Sequence, residues 1–144
     1  MWEKEPISAI KLVNEAKENF FVGNPYKRVH PHRRIEVKVP LMYNGFVLDL
    51  IHFDPISGTV LPKGIPGVMG EPGLNVDLQK IKEETEIAIK ELVILPGVEF
   101  REPEDAWVVP GAYRNLIIVH IRVSSDGNAL MPDYHATTEM RLNV

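Results

Sequence analysis

The chain has 144 residues, 44% of them apolar, a net charge of −4 and no cysteine. That length suits one domain, or two small halves sharing a core. The acidic balance gives no broad attraction for nucleic acid or an anionic membrane, and the lack of cysteine excludes disulfides, thiolate zinc sites and thiol catalysis.

The opening MWEKEPISAIKLVNEAK carries charges throughout and lacks the apolar core of a secretory signal, and no apolar run approaches the ~20 residues that span a bilayer. A cytoplasmic protein that binds neither nucleic acid nor membrane is expected. The first element expected is a helix over residues 6–22, with Pro6 in its first turn and Ile10, Val13, Ala16 or Lys17, and Phe20 at helical spacing; Gly23-Asn24-Pro25 stops it. RRIEVKVPLMY then alternates, putting Ile35, Val37, Val39 and Leu41 on one face of a strand. Asn44-Gly45 is the dipeptide that most favours a tight hairpin turn, and FVLDLIHF returns antiparallel. Pro40 inside the first strand predicts an edge position or a bulge, because proline donates no ladder hydrogen bond.

Residues 63–75 read as a glycine and proline linker, with Gly64, Gly67, Gly70 and Gly73 at every third position. A second helix is expected from about residue 77 to 93, its buried stripe made by Leu78, Ile81, Thr85, Ala88 and Leu92 and its start capped by Asn75 or Asp77. Pro96-Gly97 breaks the chain, VEF reads as a short strand, and REPEDAWVVPGAYR as an irregular connection with a strand near Trp107. NLIIVHIRVS is apolar enough for a central strand. Ser125-Asp126-Gly127-Asn128 turns it, and TTEMRLNV alternates as a last strand would.

Each half thus reads helix, strand, strand, turn. HFDPISGTVLP sets beside HIRVSSDGNALMP, pairing His52 with His120, Gly58 with Gly127 and Leu61 with Leu130. The expected fold is α+β: an antiparallel sheet with two helices packed on it, one compact domain over residues 1–144 built from αββ units at 6–62 and 76–144. The first unit resembles the PepSY domain, a helix followed by a hairpin that ends in an Asp, a Ser-Gly pair and a Val-Leu pair, here Asp54, Ser57, Gly58, Val60 and Leu61. The second is similar in Pro96-Gly97, Asp126-Gly127 and Leu130. The resemblance implies a non-catalytic binding or inhibitory module and carries over no catalytic residue.

Turn chemistry accounts for FDPISG: Asp54 accepts from nearby N–H groups, Pro55 presets φ and Gly58 supplies a positive φ. HPHRR is the sharpest chemical candidate. In extended backbone His30 and His32 point to one side and could share a divalent metal, with His52, His120 or His135, or Asp54 or Asp133, as further ligands. The same region is basic (Lys27, Arg28, Arg33, Arg34 and Lys38 against Glu36), and its counterpart after the second helix is acidic (Glu99, Glu102, Glu104 and Asp105 against Arg101). Two such patches could attract each other or a second subunit. Ser57, Ser124 and Ser125 lie outside any GxSxG elbow, GEPGLNVD lacks the GK[ST] ending of a phosphate loop, and PDYHATTEM gathers Asp133, Tyr134, His135 and Glu139 in what reads as an exposed connection. The expected function is a non-catalytic protein-binding or regulatory module without a cofactor, acting on a protein partner or by self-association. The alternative is a small-molecule or divalent-metal protein using the histidines.

Overall fold

In the computed structural model residues 4–65 and 67–143 are described; Met1, Trp2 and Glu3 of the charged opening, Pro66 of the linker and Val144 lie outside them. Helix α1 (Lys4–Ala16) buries Ala9, Val13 and Ala16, three positions of one stripe. It stops earlier than its apolar spacing predicts. After a short 3-10 turn, β1 (Phe21–Val22) leaves the helical path to pair with β3, where a β-branched and an aromatic residue find a ladder. β2 (Tyr26–His30), β3 (Arg34–Tyr43), β4 (Phe46–Asp54), β5 (Thr59–Val60) and β6 (Val68–Met69) complete a first antiparallel sheet ordered β1-β3-β4-β5, with β2 and β6 also on β3.

Asn44 and Gly45 both adopt positive φ, so the β3–β4 turn is the tight one expected. Pro40 is not at an edge: β3 is central. Its ring sits instead at the gap between β1 and β2, where a ladder donor is not needed and its carbonyl accepts from Gly23 N–H at 2.9 Å. The linker is less loose than its composition suggests. β6 pairs with Arg34 and Ile35, and a Cβ on Gly67 would stand 2.5 Å from the Ile35 carbonyl oxygen, so only glycine allows this approach.

Helix α2 (Leu78–Lys90) buries Ile81, Thr85 and Ala88, with Leu92 just beyond, as the stripe predicts, and Asp77 caps it by accepting from Lys80 N–H at 3.1 Å. β7 (Val93–Ile94), β8 (Glu99–Arg101), β9 (Ala106–Tyr113) and β10 (Leu116–Ser124) form a second antiparallel sheet ordered β10-β9-β7, with β8 also on β9. There are therefore two sheets where one was expected, and much of the irregular connection is strand. Helix α3 (Tyr134–Asn143) occupies the segment read as a last strand. Its sequence alternates, but Ala136 and Met140 also stand four apart and pack on Met42, Val47 and Leu50. The Asp133 carboxylate accepts from Ala136 N–H, and the Thr137 and Thr138 hydroxyls bond back to carbonyls four residues earlier.

The β3–β4 and β9–β10 hairpins and the pairing that follows each match at a shift of 70 residues, which takes Tyr43 to Tyr113, Phe53 to Val123 and Val60 to Leu130. Each hairpin has a bulge at the same place, skipping Leu48 in one and Ile118 in the other. Pro110 matches Pro40, its carbonyl accepting from Leu95 N–H at 3.0 Å. In this register His52 matches Arg122 rather than His120, and Gly127 falls opposite Ser57. The helices pack crosswise, α1 on β7, β9 and β10 and α2 on β1 and β5, around one core that holds Val39, Leu41, Ile51 and Phe53 together with Val109, Ile118, Ile121 and Val123.

The facing edges of β4 and β10 are joined at matched points. Lys63 N–H donates to the Ile117 carbonyl and Asp133 N–H to the Val47 carbonyl, both at 2.8 Å. Between them, the buried Asp49 carboxylate accepts from Leu50 N–H and His120 N–H, each at 2.8 Å, and from Lys63 Nζ at 2.8 Å. Leu50 and His120 are themselves 70 residues apart. One carboxylate thus closes the same gap in both strands.

Candidate functional site

The five histidines do not converge. β2 ends at His30, and His32 follows in a 3-10 turn with φ of 65°, so the extended backbone that would set the two imidazoles side by side is absent. His30 and His52 both reach the buried Glu36 carboxylate, His52 at 3.7 Å. His120 meets Asp49 only through its backbone, and His32 and His135 are exposed. Among the described residues no group of three or more His, Asp or Glu is placed to hold a metal ion.

The basic segment finds its partners inside the chain. Lys38 lies between Glu36 at 3.5 Å and Glu139 at 2.9 Å, Arg28 pairs with Glu139, Arg34 with Glu36 and Arg33 with Glu71. On the acidic side Arg122 holds Glu104 at 2.8 Å and Arg101 holds Glu99 at 2.8 Å. Much of each patch is therefore neutralised locally, which leaves little net charge for patch-to-patch attraction. Glu139 also accepts from Tyr26 O–H at 2.7 Å, and burial followed by that bond pushes the phenol pKa up. Burial raises the Glu139 pKa, but the bonds from Tyr26 and Lys38 and the charges of Lys38 and Arg28 outweigh it and hold it low. The network fastens α3 over the outer face of the first sheet. Ser57 and Ser124 bond within their own turns, to Thr59 Oγ1 and Asp126, which leaves neither on a histidine base.

The FDPISG turn has the expected chemistry: Asp54 Oδ1 accepts from Ile56 N–H at 2.8 Å and Ser57 N–H at 3.2 Å, and Gly58 has φ of 77°. Its surroundings were not legible. Between this turn and the first turns of α2 lies a cleft of about 500 Å³, walled by Phe53, Ile56, Val76, Ile81, Lys80 and Glu84. It continues past Gly58 and Glu84 into a second space of about 250 Å³ bounded by Val60, Tyr113, Leu116 and Ile118. Ile56 and Leu116 are large apolar side chains left 61% and 47% exposed on its rim. The Asp77 carboxylate occupies the start of α2, which is unfavourable for an anion there.

The second half treats its turn differently. A Cβ on Gly127 would come within 3.0 Å of the Glu5 carbonyl and of Ser8 on α1, whereas nothing lies within 4 Å of one on Gly58. The second turn is seated on its helix and the first stands off. The recess beside the second turn, about 380 Å³, is lined by Phe100 and Ser125 together with the three acids Glu5, Asp105 and Asp126. The cleft beside FDPISG is wider and of mixed lining, with Phe53, Ile56, Val76 and Ile81 set among Asn75, Asp77, Lys80 and Glu84. One signal for the interior was readable: Asp49 is the lone acid within the apolar run FVLDLIHF.

The chain is a mixed α+β protein of antiparallel sheets, and no described helix is long and apolar enough to cross a membrane. No family model, curated protein or solved structure matches it.

Proposed function

We propose that this chain is a non-catalytic protein-binding module of two αββ copies, and that its partner is held in the cleft between the FDPISG turn, β5 and α2. The observation that carries this reading is the unequal treatment of the two turns: one sits on its helix at Gly127, the other leaves a cleft of about 500 Å³, lined by both polar and apolar side chains, with Ile56 exposed at its rim. A cleft of this size that sets a few polar groups among apolar side chains has the form in which proteins hold ligands. The PepSY resemblance points to the same class, because its residues Asp54, Ser57, Gly58 and Val60 form the turn and strand beside this cleft. A displayed peptide library selected on the intact chain tests the reading, with amide and methyl NMR shifts as the readout. Selected peptides should move Ile56, Val60 and Ile81, and Ile56→Glu, at an exposed position, should weaken them at least tenfold. Peptides that instead shift the Glu36 and His52 region, or a library that yields no binder, would overturn it.

A further inference from the structure

We infer that the partner enters as an extended segment and adds to the free edge of β5 at Val60, with an apolar side chain in the recess against Leu116 and Ile118. This rests on the binding-module reading and specifies the geometry of recognition. Phe53 pairs with Val60 and Asp54 with Thr59, while Leu61 N–H donates to the His52 carbonyl at 2.8 Å. In an antiparallel ladder hydrogen-bonding residues alternate, so Leu61 and Thr59 face β4 and the N–H and C=O of Val60 face away from it. Among the described residues neither group has a hydrogen-bond partner. Those two groups border the recess of about 250 Å³ that Val60 lines with Leu116 and Ile118.

The matched position shows what such a space can hold. In the first hairpin Phe46 stacks edge-on to Tyr43, and Tyr43 to Phe20, each pair at 5.9 Å between ring centroids. In the second, Tyr113 remains, but the residue matching Phe46 is Leu116, which is smaller and half exposed. An aromatic or long aliphatic side chain carried in by a partner would take the place of the missing ring, while the partner's backbone exchanges two hydrogen bonds with Val60. That is recognition by strand addition with a single side-chain anchor.

The test uses peptides that shift the Ile56 and Val60 signals, resynthesised with a methyl on each backbone nitrogen in turn. One position should lose affinity tenfold or more, with the residues on either side spared, because alternate amides point away from Val60. The variant Leu116→Phe, which copies the matched Phe46, should weaken the same peptides at least tenfold without lowering the unfolding midpoint. Methylation tolerated at every position with the cleft shifts retained would overturn strand addition and leave the binding module standing. Peptides that never shift the cleft would overturn both.

Discussion

Replacing Asp49 by alanine removes the acceptor for two backbone donors and one ammonium. Leu50 N–H and His120 N–H, each 2.8 Å from the carboxylate, have no other acceptor among the described residues, and Lys63 Nζ loses a contact at 2.7 Å. The residue is 5% exposed, so water can restore only part of what is lost. Removing one partner of an ion pair costs about 3–5 kcal/mol when the other is left fully buried, but Lys63 is partly exposed here, so the loss falls chiefly on the two N–H groups. Each stranded N–H alone would cost about 1–3 kcal/mol, which makes the upper part of that range the expectation for Asp49→Ala. Lys63→Met should cost less, since the carboxylate keeps both N–H donors and Lys63 Nζ is partly solvated. The assay is urea unfolding followed by fluorescence and by amide signals of Leu50 and His120, with both single variants and the double variant. A cost below about 1 kcal/mol for Asp49→Ala, or full additivity of the two substitutions, would refute the idea that this carboxylate ties the two sheet edges together.

Glu139→Ala should loosen α3 alone: with the bonds from Tyr26 and Lys38 gone, opening of that helix should become easier by about 1.5–3 kcal/mol, read as faster hydrogen exchange of its amides. Unchanged exchange there would show that Ala136 and Met140 hold the helix unaided. His52 has its pKa pushed down by burial and then by Lys63 and Lys38, against the opposing pull of Glu36 and Asp49; His120 is shifted the same way by burial and Lys63. An imidazole kept neutral in the fold but protonated below about pH 6.5 in the unfolded chain makes stability fall as pH drops from about 7 towards 5. The urea midpoint should follow that slope, and His52→Gln should flatten it; a wild-type midpoint rising towards acid would reverse the sign. Gly58→Ala and Gly127→Ala both impose a side chain at φ of 77°, about 1–2 kcal/mol, but only the latter also meets α1 at 3.0 Å. Gly127→Ala should therefore be the more destabilising by at least about 1 kcal/mol, and equal costs would mean that the second turn is not seated on the helix.

Local chemistry was legible where it acts over a few residues. Asn44-Gly45 specified its turn because both positions need positive φ, and α2 declared its stripe because Ile81, Thr85 and Ala88 repeat at helical spacing. The second hairpin was hidden by its turn, where Arg114 and Asn115 adopt the positive φ values that Arg-Asn does not advertise. TTEMRLNV was ambiguous in principle: Ala136 and Met140 serve a helix, while the run from Glu139 onward alternates as a strand does, and the decision came from Asp133 and from the apolar face of Met42, Val47 and Leu50 far off in sequence. The histidines misled because their types suggest chemistry while their placement depends on a left-handed turn at His32 and on the buried Glu36. The cleft could not be read at all, since it is a gap between a turn and a helix about 20 residues apart, and gaps leave no trace in composition.

The departure of the two halves from one another has a physical reason at their junction. Leu50 and His120 occupy matched positions and present their N–H groups to the same small volume, so one acceptor between them suffices. Two carboxylates there would share a site in which both could not remain ionised. The matched pair is accordingly Asp49 and Val119, one charged and one apolar, and Lys63 completes the charge balance from one side only. A symmetric junction is therefore unfavourable even for two otherwise matched halves, and what surrounds it need not be symmetric either. Lys63 leads into the glycine-rich linker, while its match, Asp133, leads into α3. The outer face of the first sheet is thereby covered by a helix. The cleft beside FDPISG goes with the same asymmetry: Leu116 stands where the first hairpin has Phe46, and the first turn is not drawn onto α2 as the second is onto α1.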